Sequence, residues 1–203
     1  MTLLARFSVN LMHDRYLASS LIIDCDHPTV LAKAKDLSAG LDNDVEIARR
    51  CFGFVRDEVY HSGDHHMDPV TLRASEVLEH RTGFCYAKAH LLAALLRANG
   101  IPAGLCYQRI ACGRGFCLHG LNAVFLKDHG WYRVDARGNN EQVRCEFIPP
   151  TESLAISLTQ QGEMDLPDIL DEPLPSVVKV LTKYSSYLEV LRNLPDIEVV
   201  STR

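Results

Sequence analysis

Cys85 opens a stretch that has neither Pro nor Gly until Gly100 and carries Ala89, Leu92, Ala93 and Leu96 on one stripe. That pattern predicts a buried helix that starts near the cysteine and stops at Asn99-Gly100. Unpaired backbone N–H groups at a helix start favour a thiolate by about 0.3–1 kcal/mol, less than one pKa unit. Bringing a thiol from about 8.5 into the reactive range of ~3.5–7.5 needs a nearby imidazolium as well. His119 opens one β-prone run and Asp135 sits on the next. Thiol, imidazole and carboxylate together can perform nucleophilic acyl transfer, with the imidazole moving the proton and the carboxylate holding the ring. Taken singly, each has a plainer reading: a core thiol, a surface or capping histidine, a turn aspartate.

Hairpin geometry supplies a test. If four residues form the loop through Lys127-Asp128-His129-Gly130, Asp135 pairs with Asn122 and faces away from His119, because side chains alternate along a strand. With three or five loop residues, or one bulge, His119 and Asp135 share a face, Leu121 lies opposite Asp135, and His119 is diagonal to it. The chemistry requires the second register.

The elements that must position these groups follow from periodicity. After an extended opening through Leu21-Ile22-Ile23, Asp26 and Pro28 mark a helix start with Val30, Leu31, Ala34 and Leu37 at helical spacing. A second helix is predicted from about Asp44 to Val59, burying Ile47, Ala48, Cys51, Phe54 and Val55. Tyr60 to Pro69 reads as a polar loop, and Ser75 as the cap of a short helix through about Glu79. From Ile101 the period changes. Gly104–Ile110, Leu121–Leu126, Trp131–Ala136 and Val143–Phe147 are short runs between turn residues, predicted to form an antiparallel sheet. Gln160 to Pro175, with five acidic residues and no basic one, reads as a solvated loop or linker rather than a core element, with a lid over the cleft as the functional alternative, and Ser176 to Leu194 reads as one docked amphipathic helix. The expected organisation is a single domain over residues 1–203: helical to about residue 100, sheet to about 150, then acidic loop and helix at about 160–195.

The block Ala74-Ser75-Glu76-Val77-Leu78-Glu79-His80-Arg81-Thr82-Gly83-Phe84-Cys85, followed by Ala89-His90-Leu91-Leu92-Ala93-Ala94-Leu95-Leu96-Arg97-Ala98-Asn99-Gly100-Ile101-Pro102-Ala103, resembles the core of bacterial transglutaminase-like proteins. The resemblance runs from about Val55 to Arg137. It implies an α+β, papain-like fold in which a helix carrying the nucleophilic Cys packs on an antiparallel sheet carrying His and Asp. By position it implies Cys85 as nucleophile, His119 as general base and then acid, and Asp135 as the carboxylate holding the imidazole. The implied reaction is thiolate attack on an amide carbonyl, a tetrahedral oxyanion, a thioester, and transfer to water or an amine, with no cofactor. Two positions depart from the family pattern: His119-Gly120-Leu121 stands where His-Ala-Trp is frequent, and Ala87 where an acidic residue is frequent. For the oxyanion the Cys85 N–H is the first donor, with Tyr60 and Gln108 as candidate substrate-binding partners.

With 203 residues, 47% hydrophobic and 23% charged, the chain is long enough to bury a core without staples. A net charge of -5 and no Lys/Arg run argue against nucleic acid as a partner. Polar residues Arg6, Asn10, His13, Asp14 and Arg15 interrupt the opening, and no apolar run approaches the roughly 20 residues of a membrane span, so a cytoplasmic protein is expected, with no membrane partner. Its partner is expected to be a peptide, protein or small-molecule amide. Seven cysteines, 25, 51, 85, 106, 112, 117 and 145, are odd in number and read as mostly reduced, with Cys112 and Cys117 near enough for a labile disulfide across Gly113-Arg114-Gly115. Two rival classes stand beside the enzyme: a catalytically silent peptide-binding protein of the same fold, and a zinc module built on Cys106, Cys112, Cys117 and His119. The expectation is no metal, because no CxxC pair exists. His61, Asp64, His65, His66 and Asp68 read as a solvated loop bordering the cleft, and His90 as a packing or partly exposed residue.

Overall fold

The computed structural model describes residues 13–113 and 115–197. Residues 1–12, on which the reading of the N-terminus partly rests, and Arg114 of the Cys112–Cys117 loop lie outside the described residues. In chain order the elements are α1 (Pro28–Ser38), α2 (Asp44–Glu58), β1 (Tyr60–His61), α3 (Ser62–His65), α4 (Ala74–His80), β2 (Thr82–Gly83) and α5 (Cys85–Ala98). Then come β3 (Ala103–Cys112), β4 (Gly115–Leu126), β5 (Gly130–Val134), β6 (Met164–Asp165), α6 (Pro175–Lys183) and α7 (Tyr187–Arg192). The larger sheet has the order β5-β4-β3-β6, all antiparallel, and β1 and β2 form a separate parallel pair. The fold class is α+β.

Helix α5 is the centre, buried from Cys85 to Arg97, with α1, α2 and α4 around it and β3 and β4 beneath. A helix buried on every side must satisfy its polar side chains internally. Lys88 Nζ donates to the Val59 carbonyl, His90 Nδ1 lies 2.8 Å from the Leu72 carbonyl, and Arg97 donates to the carbonyls of Ala18, Ala103 and Asp171. His90 is thus wholly buried rather than partly exposed. On the sheet's other face Cys106, Leu121 and Ala123 form a second apolar cluster under Trp131, Leu154 and Ile169.

Several expectations are corrected. Helix α1 starts at Pro28 as expected, with His27 as its cap, but Leu31 points to solvent while Val30 and Ala34 carry the buried face. Ser75 lies inside α4 and bonds Asp24, while Glu76 accepts the Leu72 and Arg73 N–H groups at the helix start. Val143–Phe147 is not a strand, because side chains take its backbone: Asn139 accepts from the Cys145 N–H, and Arg56 and Arg49 donate to the Cys145 and Phe147 carbonyls. The acidic stretch is mostly exposed, as expected of a solvated loop, but it is docked on the sheet. It supplies β6 and a Leu105–Leu170 bridge, its Glu163 accepts from the Ala111, Thr159 and Gln160 N–H groups, and its Asp165 accepts from Gln108 and Arg133. The final helix is two, broken where Ser186 and Glu189 close a capping box at the start of α7.

Candidate active site

Cys85 is the first residue of α5, and no side chain caps that end. Helix geometry leaves its N–H without an intrahelical acceptor. The β4 backbone reaches this end because residue 120 is glycine: a Cβ there would lie 2.9 Å from Tyr86 Cδ1 and 3.1 Å from Tyr86 Cα. The close approach lets the Gly120 N–H donate to Cys85 Sγ at 3.5 Å, and Tyr86 Oη reaches the Leu118 carbonyl.

The β4–β5 loop has three residues, Lys127 to His129, because Leu126 pairs with Gly130, whose φ of 73° suits glycine. Asn122 therefore pairs with Val134, and the same register continued sets Leu121 across from Asp135. His119 is diagonal to Asp135, and its Nε2 lies 2.7 Å from Asp135 Oδ2. Asp135 also accepts from the N–H groups of Ala155 (2.9 Å) and Arg137 (3.1 Å). The bond through Nε2 leaves the ring's Nδ1 free of Asp135, and the ring lines the same cavity as the Cys85 sulfur.

The charges follow from these contacts. Burial pushes the Cys85 thiol up, but the His119 charge and hydrogen bond, with His61 adding to them, bring it down to about 6. Burial works against a charged His119, yet Asp135 and Cys85 raise it to about 10. Burial likewise opposes the Asp135 carboxylate, and His119 and the two backbone donors hold it below its ordinary value. Shifts in these directions favour a thiolate–imidazolium pair, the state from which a cysteine can attack a carbonyl.

A family model for the transglutaminase-like superfamily matches residues 32–136, from within α1 to just past β5 and including Cys85, His119 and Asp135. The chain belongs to the transglutaminase-like superfamily. No curated protein matches it. Among solved structures, a candidate cysteine protease from Cytophaga hutchinsonii shares 20% identity over 62% of this chain and 42% of its own, with a TM-score of 0.52. The periplasmic domain of TgpA from Pseudomonas aeruginosa shares 20% over 60% of this chain and 45% of its own, with a TM-score of 0.46. The transglutaminase-like chain thus aligns with less than half the length of either, and its likeness to the Cytophaga hutchinsonii protein is one of fold.

The two candidate substrate-binding residues of this transglutaminase-like protein fall elsewhere. Gln108 is buried opposite His119 in the β3–β4 register and donates to Asp165 Oδ1 at 3.0 Å. Tyr60 is 48% exposed and packs at a tilt against His65, ring centroids 4.9 Å apart, in an adjoining cleft. Neither lines the cavity of about 230 Å³ beside Cys85, whose walls include His61, Phe84, Ile110, Leu118, Arg137 and Ile156. His61, read as part of a solvated loop, is buried there. Its neighbour Asp64 accepts both Arg137 guanidinium nitrogens at 2.8 Å, and hydrogen bonding to His61 and Arg137 holds its carboxyl well below the usual range against the effect of burial. Among the described residues, no group of three or more His, Cys, Asp or Glu is placed to hold a metal. Cys106 lies in the second apolar cluster, whereas Cys117 lines the Cys85 cavity.

Proposed function

We propose that the protein is a cysteine-dependent acyl-transfer enzyme acting on an amide, with Cys85 as nucleophile, His119 as general base and then acid, and Asp135 as the carboxylate that orients the ring. The observation that carries this reading is the 2.7 Å bond from His119 Nε2 to Asp135, with Cys85 lining the same cavity as the imidazole. Thiolate attack forms the C–S bond and moves the carbonyl pair onto oxygen. Collapse of that intermediate breaks the C–N bond, His119 protonates the departing amine, and the thioester passes its acyl group to water or a second amine. Water is the favoured acceptor because an open cleft holds it at high concentration. The apolar wall of Ile110, Leu118, Ile156, Leu191 and Leu194 favours an acyl group that carries an apolar side chain.

Labelling with a small electrophile and amide-substrate profiling test the reading on wild type and Cys85→Ala. Selective modification of Cys85 at mildly acidic pH and loss of turnover in the variant are expected. Equal product release by both proteins would reject Cys85 as nucleophile. A wild type with neither labelling nor turnover would indicate a silent peptide-binding protein of the same fold.

A further inference from the structure

A tetrahedral intermediate needs donors aimed at its oxygen, and the Cys85 backbone N–H supplies only one. His61 is placed to supply another. β1 pairs in parallel with β2, setting His61 beside Gly83, two residues before Cys85. The His61 ring packs edge-on against Phe84 with centroids 5.7 Å apart, and it lines the same cavity as Cys85 and His119.

Among the described residues, the polar contacts of that ring run through one nitrogen. Nδ1 caps α3, accepting from the Asp64 N–H at 3.3 Å, and lies 3.2 Å from Asp64 Oδ1. The Asp64 carboxylate is held in turn by Arg137 through two bonds of 2.8 Å and by Asn140 Nδ2 at 3.1 Å. An accepting Nδ1 leaves the ring proton on Nε2, and the imidazolium carries a proton there too. Nε2–H is therefore a donor in the imidazolium, whose Nδ1 bonds the Asp64 carboxylate, and in the neutral tautomer whose Nδ1 accepts from the Asp64 N–H, whereas His119 has its Nε2 committed to Asp135.

We propose that His61 is a catalytic residue whose Nε2–H, with the Cys85 backbone N–H, binds the carbonyl oxygen as thiolate attack turns it into an oxyanion. The inference rests on the reading of Cys85 as nucleophile. As the C–S bond forms, the carbonyl π pair moves to oxygen and the two N–H groups hold it. The pair returns as the C–N bond breaks and the leaving amine takes its proton from His119. His61 keeps its own proton throughout, and Asp64 with Arg137 fixes its ring.

The test compares two reactions of the same sulfur in the full chain. Acylation by p-nitrophenyl acetate passes through an oxyanion. Alkylation by iodoacetamide, measured at its high-pH plateau, is a displacement at carbon that forms none. His61→Asn keeps an acceptor for the Asp64 N–H but has no group where Nε2 stood, and it should slow acylation on the order of 10²–10³-fold while leaving plateau alkylation near the wild-type rate. His61→Gln, whose amide N–H can occupy the Nε2 position, should recover much of the loss. Equal losses in both reactions would make His61 a group that builds or ionises the thiol, and undiminished acylation would make it idle; either result overturns the proposal. The underlying reading fails elsewhere, through a wild-type Cys85 that takes up no acetyl group.

Discussion

At the scale of single residues, the chemistry turns on how a thiol only 8% exposed can hold a charge. Burial, as the first cause, drives other interior thiols the opposite way, with Cys51, Cys106 and Cys145 pushed up to about 12. Cys85 differs because His119 and His61 stand against it and bring it down to about 6. The thiolate fraction rises with pH, so the rate of Cys85 alkylation should climb through about pH 6 and level off above about pH 7, a profile measurable by mass spectrometry of the labelled peptide. Cys51, Cys106 and Cys145 should stay unmodified across that range, and equal labelling of all four would contradict the assignment. The carboxylate's share is separable. Asp135 raises His119, so Asp135→Asn lowers the imidazolium population, removes the charge facing the sulfur, and should move the alkylation midpoint to higher pH. Turnover should fall on the order of 10⁴-fold, as when a triad carboxylate becomes an amide that favours the wrong ring tautomer. A midpoint unmoved in that variant would mean that His119 holds its charge without Asp135.

At the scale of elements, the decisive fit is between the start of α5 and β4, where Gly120 passes against Tyr86. Replacing it with Val puts a branched side chain where even a Cβ meets Tyr86 Cα at 3.1 Å, so strand and helix must separate. Overpacking of this kind costs about 1–3 kcal/mol. The same separation should lengthen the 3.5 Å contact from the Gly120 N–H to Cys85 Sγ, so Gly120→Val is expected to lower both the urea midpoint and the rate of Cys85 labelling in the folded protein. Stability lost with labelling intact would show that the approach serves packing alone. This fit also marks how far local pattern reaches. The limits of α5 were legible from its Gly-free and Pro-free run, because they are encoded within a few residues, whereas the register of His119 with Asp135 was left open, since a single loop residue decides which face Asp135 takes. His61 was hidden because its burial comes from the pairing of β1 with β2, segments about 20 residues apart, inside a stretch whose composition is that of a surface loop. Val143–Phe147 has strand propensity, but Arg49, Arg56 and Asn139 claim its backbone, a tertiary effect that propensity does not contain. The break before α7 was legible and overlooked: Ser186 and Glu189 stand three apart, the spacing of a capping box.

At the scale of the molecule, the match to the transglutaminase-like superfamily ends at residue 136, yet residues C-terminal to that point complete the site. The Ala155 N–H holds Asp135, the Pro195 carbonyl accepts the Leu118 N–H, and Leu191 and Leu194 wall the cavity. Arg97, near the end of α5, ties that returning chain to the rest. Its Nε donates to Ala103 at 3.0 Å, and its Nη1 and Nη2 donate to Ala18 and Asp171 at 2.8 Å each, so one planar group joins the N-terminal segment, the start of β3 and the segment leading to α6. A lysine keeps the charge, but its single ammonium cannot span three carbonyls that a guanidinium reaches from one plane. Buried acceptors left without donors cost about 1–3 kcal/mol each, so Arg97→Lys should destabilise by about 2 kcal/mol or more. The expected signature is a lower urea midpoint at unchanged slope, with Cys85 labelling retained in the folded baseline, because Arg97 lies at the opposite end of α5 from the sulfur. A variant that unfolds at the wild-type midpoint would show that water or a shifted ammonium satisfies these carbonyls. A variant that keeps its midpoint but loses labelling would place the join between the returning chain and the site in the fit around Cys85 rather than at Arg97.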